Sequence, residues 1–566
     1  NPAAKNVIAS RATLNGKARS VTTGAEAVFH TDVVADAARV KILQGNVLGA
    51  GGMAKVSGTL AYAGALALEG AFTGFDLATG GMVVGVPFDN GTASGRIAID
   101  GTLSRPVLNF SELVVLNPRV IAENRVLQAD ALRCEEVRWI SDASGNLSID
   151  LLKPLYVSWL PADVVVTGRI RGRTDLPQFD VSVTGKHVDI ARLIPMVRGD
   201  LMPWALGILH ESGDYQAVSK AFGWREADWD VSGDVGELSA RISGTTNQLR
   251  IAGSVQLEAI GLGDYRIGSA STQFLWQNQI LALSNISASL EAGRVTGDVR
   301  ISNDGNLSGL LATENLNIGI LANRVSQDAA VGGSVSARIG VTGTLQYPAL
   351  SGQLQVRDAL QYGASRWMPG KPFGISATRM SQADGPYAWD VQLAPLMATE
   401  YGAEWSLSKL EWVGGERTLR LSAGVNGLTV NELRTLGKVL PVTEFTPVGW
   451  TDKIPENLST EISTTADITL HHDGDRWVDP MVAITAEGKS PMLGQAKFDR
   501  LRLDATLEER VWTIKDASLD SEQSVITGRG TLRLPEGSTD KSYGMALVFA
   551  SNQPSMDPFK PIIGDV

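Results

Sequence analysis

The sequence predicts a mainly β fold: an elongated antiparallel β-sheet curled lengthwise into a groove with a hydrophobic interior, carrying a few short helices in the segments that cross between modules. Three observations predict it. Strands with one apolar and one polar face recur as hairpins throughout the chain. Glycine is abundant, 60 of 566 residues, and falls repeatedly on the apolar parity of those strands, where a missing side chain lets a sheet bend. Few stretches have the helical period that would roof the apolar faces.

The clearest hairpin runs from Gly332 to Arg357. Val335, Ala337, Ile339, Val341 and Leu345 hold alternate positions against Ser334, Ser336, Arg338, Thr342, Thr344 and Gln346, the period of a half-buried strand. Tyr347-Pro348 marks a turn, after which Leu350, Leu354 and Val356 alternate with Ser351, Gln353, Gln355 and Arg357. Gly343 and Gly352 fall on the apolar parity.

The unit recurs. Arg96 to Phe110 places Ile97, Ile99 and Leu103 against Arg96, Asp100 and Thr102, with Gly101 set before Pro106 as Gly343 is before Pro348. Val164 to Lys186 carries Val164, Val166 and Ile170, then, after Pro177, Phe179, Val181 and Val183. Looser copies run through Leu238 to Leu257, which holds Ile242, Ile251 and Val255, through Leu281 to Ile301, and through Val525 to Leu534.

A slower period overlies the hairpins. Alternation is lost at Phe75-Asp76-Leu77, at Val188-Asp189-Ile190, at Leu316-Asn317-Ile318, at Leu428-Thr429-Val430 and again at Ser555 to Phe559, and the first four are spaced by roughly 110 to 130 residues. The expected modules are therefore 1–78, 79–222, 223–328, 329–450 and 451–566, all parts of one continuous groove, the second and fourth ending in helical segments. Val188 to Phe222, interrupted by Pro195 and Pro203, reads as broken amphipathic helices, and Thr429 to Leu440 as another.

Composition narrows the function classes. A hydrophobic fraction of 43% with 20% charged residues fits a folded chain, and a net charge of −11 without a Lys/Arg-rich block gives no footprint for nucleic acid. One cysteine, Cys134, leaves no internal disulfide and no cysteine-cluster metal site. No apolar run of about 18 residues occurs, so none of these residues is expected to cross a bilayer as a helix.

Strands with one apolar face must cover it, and this chain has few helices to do so. A sheet curled with its apolar faces inward would leave that lining to a ligand. The expected lining is Ile97, Ile99, Leu103, Val164, Val166, Ile170, Val181, Val183, Ile242, Ile251, Val255, Val335, Ile339, Val341, Leu345, Leu354 and Val356. Such a wall is indifferent to head-group chemistry and compatible with acyl chains, at about 0.8 kcal/mol per buried CH2. An ordinary β-sandwich core is the competing account of the same alternation.

The segments VTGTLQYPALSGQLQVRDA at 341–359 and IDGTLSRPVLNF at 99–110, with the LNIGIL and LTVNEL type segments, resemble the TamB branch of the AsmA-like family. The resemblance covers nearly the whole chain as a texture. It implies a taco-shaped β-groove similar to that of bridge-like lipid transfer proteins, sited in the periplasm of a diderm bacterium. It also implies an N-terminal inner-membrane anchor that is not among these residues, and conduction of phospholipid between the inner and outer membranes. The same family is linked to assembly of outer-membrane β-barrels with an Omp85-type partner.

Catalytic and metal chemistry is not signalled. His471 and His472 are adjacent on an expected strand and so point to opposite faces. His30, His187 and His210 have no companion nucleophile motif. Asp142 to Asn146 and Asn303 to Asn306 resemble fragments of calcium loops but lack the ligand series and terminal Glu, and hairpin turns account for them. Gly49 to Gly52 lacks the Lys-Ser/Thr of a phosphate loop. No catalytic residue, metal or cofactor is expected. Trp204 and its neighbours either gate the groove or form a helix that blunts a sheet edge. Arg96, Asp100, Arg169, Arg171, Asp180, Lys186, Arg338 and Arg357 read as a solvated outer face.

Besides the lipid conduit, two other classes fit less well. One is an assembly scaffold that lends a sheet edge to nascent outer-membrane strands. The other is a β-helix adhesin, whose coils would not show Pro-marked reversals.

Overall fold

Alternating β-branched and small polar residues favour extended backbone, and short turns between them favour antiparallel pairing. The computed structural model describes residues 10–19, 26–49, 51–78, 88–122, 125–142, 144–159, 162–173, 176–189, 231–245, 248–262, 265–302, 304–320, 331–344, 347–362, 365–380, 389–400, 402–439, 454, 456, 458–473, 477–493, 496–522, 524–534 and 544–552. These residues are nearly all β, in antiparallel sheet with few helical turns. They divide into two compact units, one made of 1–290 with 300–305 and the other of 291–299 with 306–566.

In the first unit, successive strands from Ser10–Arg19 to Ile280–Leu290 pair antiparallel with their chain neighbours. Arg105–Ala122 is shared, pairing near its end with the short Arg125–Gln128 and otherwise with Ala131–Ser141. Tight turns at one margin join Thr102 to Arg105, Arg173 to Leu176 and Gln277 to Ile280. The long connections 77–87 and 190–230 both leave from the opposite margin.

The second unit repeats this plan. The hairpin read most clearly from the sequence is Val331–Gly343 paired with Pro348–Tyr362, Val341 standing opposite Leu350. The order then runs through Phe373–Arg379, Trp389–Leu393, Ala403–Val413, Thr418–Thr429, Leu458–His472, Trp477–Leu493, Arg500–Glu508, Val511–Ser521 and Ser524–Arg533 to Gly544–Ser551. Connections 318–330 and 430–457 leave from one margin, and the tight turns between Val413 and Thr418 and between Glu508 and Val511 lie at the other.

Three of the segments that lose alternation have a common cause. Between Phe72 and Phe75, between Thr313 and Leu316, and between Val425 and Leu428, the strand carries one residue more than its partner. Each such bulge holds a residue in the left-handed region: Gly74 at φ 67°, Asn315 at 52° and Gly427 at 81°. The extra residue resets the parity, so Phe72 and Phe75 share a face and their rings meet edge to face at 6.4 Å. A bulge also bends its strand, here close to the margin from which the chain crosses over.

The helix Val430–Val439 begins at the margin where Thr418–Thr429 ends. Thr429 and Glu432 form a reciprocal capping box: the Thr429 N–H donates to Glu432 Oε2 at 2.8 Å and the Glu432 N–H to Thr429 Oγ1 at 3.3 Å. Leu433 lies on the buried cluster of Ala403, Val425 and Leu428. Helical turns also occupy 77–78 and 318–320. The expected broken helices lie outside the described residues from Ile190 onward, as does the segment from Ser555. No helix among the described residues is long and apolar enough to cross a membrane.

Candidate functional site

Register turns the scattered apolar positions into continuous rows. In the first unit, Val56, Gly70, Ile97, Phe110, Val137, Leu151, Gly168, Val181, Ile242, Ile251, Trp276 and Leu281 stand directly opposite one another on successive strands. One strand pleat away run Leu68, Ile99, Leu108, Trp139, Ile149, Ile170 and Phe179. On the other side run Leu155, Val166 and Val183, then Val157 and Val164, a row that continues through Gly185 and Leu238 to Val255. The second unit has its own central row: Leu311, Ile339, Gly352, Ile375, Leu393, Leu410, Leu421, Ile468, Val482, Leu507, Trp512, Leu532 and Met545.

Most of the expected lining falls on these faces. Ile97, Ile99, Val164, Val166, Ile170, Val181, Val183, Ile242, Ile251 and Val255 share the apolar face of the first unit, and Val335, Ile339, Val341, Leu354 and Val356 share that of the second. Leu103 is a correction: it sits in the turn between Thr102 and Arg105, 67% exposed and outside the ladder, because the strand ends one residue before it. Leu345 lies outside the described residues.

No ionisable side chain stands in either central row, and most of its members are half-buried. Among the described residues of each unit, the elements in extensive contact are hydrogen-bonded neighbours, apart from the helix against its two strands. Burial is concentrated in local clusters, such as Val335, Val356 and Phe373 near the crossing margin and Val482, Leu507 and Leu534 near the other.

The opposite face carries the ion pairs, with Tyr156, Leu310 and Met481 also exposed on it. Arg171 pairs with Asp150 at 2.8 Å, Arg169 and Arg241 both reach Asp180, at 3.5 and 2.9 Å, and Arg96 meets Glu112 at 3.3 Å. Clefts of about 590 and 680 Å³ open on this side, over Lys55, Glu69 and Arg96 in one unit and Thr465, Thr485 and Arg502 in the other. The first offers mainly polar groups, while Met397, Val425 and Leu503 also line the second. Arg500 and Arg502 beside Glu487 hold its carboxyl below the usual range.

The remaining sequence candidates take structural places. Asp142 closes a turn, accepting hydrogen bonds from the Ser144 and Asn146 side chains and backbone N–H groups, and these hold its carboxyl far below the usual aspartate range. His471 is exposed while His472 is half-buried, and the His472 N–H donates to the Arg417 carbonyl at 2.9 Å. Cys134 is 2% exposed, and burial pushes its thiol up. No group of three or more His, Cys, Asp or Glu converges on a point among the described residues.

Sequence reading missed Phe110, Trp139 and Trp276 in the first unit and most of the second unit's central row after Gly352. Their signal was the same alternation. Register across bulges was what the sequence alone did not supply. No family model matches this chain, and neither a curated protein nor a solved structure does.

Proposed function

We propose that this protein is a bridge-like lipid carrier of the periplasm, conducting phospholipid between inner and outer membranes with the acyl chains laid along the apolar faces of its sheet. One observation carries the reading: each unit holds an apolar row that runs across its strands without an ionisable side chain, most of its members half-buried. A half-open aliphatic wall gains about 25 cal/mol per Å² when hydrocarbon covers it. Uncharged rows let tails slide without meeting a site that would trap one head group. The resemblance of 99–110 and 341–359 to the TamB branch favours the same assignment.

Lipid extraction of the purified chain, with phosphorus counted against protein, tests it. Several phospholipids per chain are expected. A fully folded protein free of lipid would overturn the proposal.

A second reading has its own supporting observation. Gly544–Ser551 pairs only with Ser524–Arg533 among the described residues, and it is apolar on both faces, Met545 being 69% and Val548 60% exposed. A strand that is apolar on both faces and paired on one side among the described residues suits strand addition, as an assembly scaffold working with an Omp85-type partner would use. A crosslinker at Val548 that captures a barrel precursor would favour it; capture of lipid alone would count against it.

A further inference from the structure

Arg379 ends the strand Phe373–Arg379 at the margin of the second unit where Val413 turns to Thr418. Phe373, Ile375, Ala377 and Arg379 alternate onto one face, and Ile375 and Ala377 stand opposite Leu393 and Val391 there. Arg379 therefore lies at the end of a face whose central row holds no ionisable side chain. Trp389, the first residue of the next strand, stands directly opposite Arg379, and Trp412 stands opposite Val391 one strand further on. Both Trp residues are half-buried and Arg379 is exposed.

The Arg379 side chain forms no ion pair or hydrogen bond among the described residues. Asp390, next to Trp389 in the chain, lies on the other face of its strand, and its Oδ1 accepts the Gly414 N–H at 2.9 Å. Glu411 is also on that other face, paired with Lys409 at 2.9 Å and Arg420 at 3.4 Å. A cation at the end of an apolar wall is well solvated while the wall is bare. Hydrocarbon laid on the wall takes solvent from it, and an anion placed where the hydrocarbon stops offsets the loss.

We propose that Arg379 binds the phosphodiester of a phospholipid whose tails lie on the apolar face, with Trp389 and Trp412 flanking its glycerol region. This rests on the lipid-carrier reading and deepens it by giving the lipid one orientation: tails toward Ile375, Leu393 and Leu410 of the central row, head group at the tight-turn margin. The planar fork of a guanidinium matches a pair of phosphate oxygens, as a point charge does not. An indole, apolar in its body and polar at its tip, suits the level where tails end and the head group begins. A phosphodiester without tails carries the same charge but gains nothing from the wall.

The test uses the full chain and three probes: a short-chain phosphatidylglycerol, the diacylglycerol with the same tails and no phosphate, and glycerophosphoglycerol, which has the phosphodiester and no tails. The wild type is expected to bind phosphatidylglycerol roughly three- to tenfold more tightly than the diacylglycerol, the range for one charge-assisted contact in reach of solvent. Glycerophosphoglycerol is expected not to displace the lipid. Arg379→Gln should bind both lipids alike, at the diacylglycerol's affinity, and Arg379→Lys should keep part of the preference. Arg338→Gln, which removes an exposed cation from the other face of the same unit, should keep all of it. Equal binding of the two lipids by the wild type overturns this inference and leaves the carrier reading standing. A preference lost as fully in Arg338→Gln as in Arg379→Gln, or lipid displaced by glycerophosphoglycerol, does the same. Binding of neither lipid overturns both.

Discussion

Ile339 stands directly across from Gly352, and the backbone of Ile339 occupies the place where a side chain at Gly352 would begin: a Cβ built there would lie 2.8 Å from Ile339 Cα. The close approach of the two strands is possible only because position 352 is bare. It also explains why glycine falls on the apolar parity. Gly352→Ala is expected to destabilise the second unit by about 1–3 kcal/mol, the cost of forcing an added methyl into packed backbone, read as a lower urea midpoint. An unchanged midpoint would mean that the strands are not so closely apposed.

Ile339 and Val341 lie on the same face but differ in exposure, Ile339 half-open and Val341 only 7% exposed. Ile339→Asp should keep the fold, its carboxylate remaining in reach of solvent, while reducing the lipid carried per chain. Val341→Asp buries a charge without a partner and should lower the thermal midpoint sharply. Both variants unfolding alike would favour a closed core over an open wall.

Ala259 has a left-handed backbone, φ 50°, immediately before the buried Ile260. An L-residue with a Cβ pays about 1–2 kcal/mol in this region, partly offset by the greater unfolded-state freedom of glycine. Ala259→Gly is therefore expected to stabilise the first unit by about 0.5–1 kcal/mol in denaturant titration. Destabilisation would contradict the assigned backbone geometry.

The Asp142 carboxyl is depressed below its usual value of 3.8 by the hydrogen bonds it accepts from Ser144 and Asn146. A depressed carboxyl contributes stability that is fully present above the unfolded value and disappears as the pH falls through the folded one. Carbon-detected carboxyl shifts should show Asp142 still ionised at pH 3.8 while unconstrained aspartates are half-protonated. Titration at the ordinary value would remove the turn from the account.

The fold class was legible because period-2 alternation survives in every strong hairpin, from Ile97–Ile99 to Val335–Val341. Which residues share the apolar face was legible for the same reason where no bulge intervened. It failed at Leu103, which keeps the apolar parity of Ile97 and Ile99 but falls one residue beyond the strand end, and nothing in the spacing marks that end. The lost alternation at Phe75, Leu316 and Leu428 was visible, but its cause was not: an extra residue at Gly74, Asn315 or Gly427 defines a bulge only relative to the partner strand. Arg379 carried no signal in the sequence, since what stands opposite it, Trp389, comes only with register.

Whether hydrocarbon lies on the apolar face is read most plainly by a scan of photo-crosslinking side chains through Arg96, Ile97, Ala98 and Ile99, in cells or with loaded protein. Lipid adducts are expected at Ile97 and Ile99 and none at Arg96 and Ala98, a period of two matching the face each residue occupies. Adducts without that alternation, or adducts to the protein's own chain at Ile97 and Ile99, would contradict it.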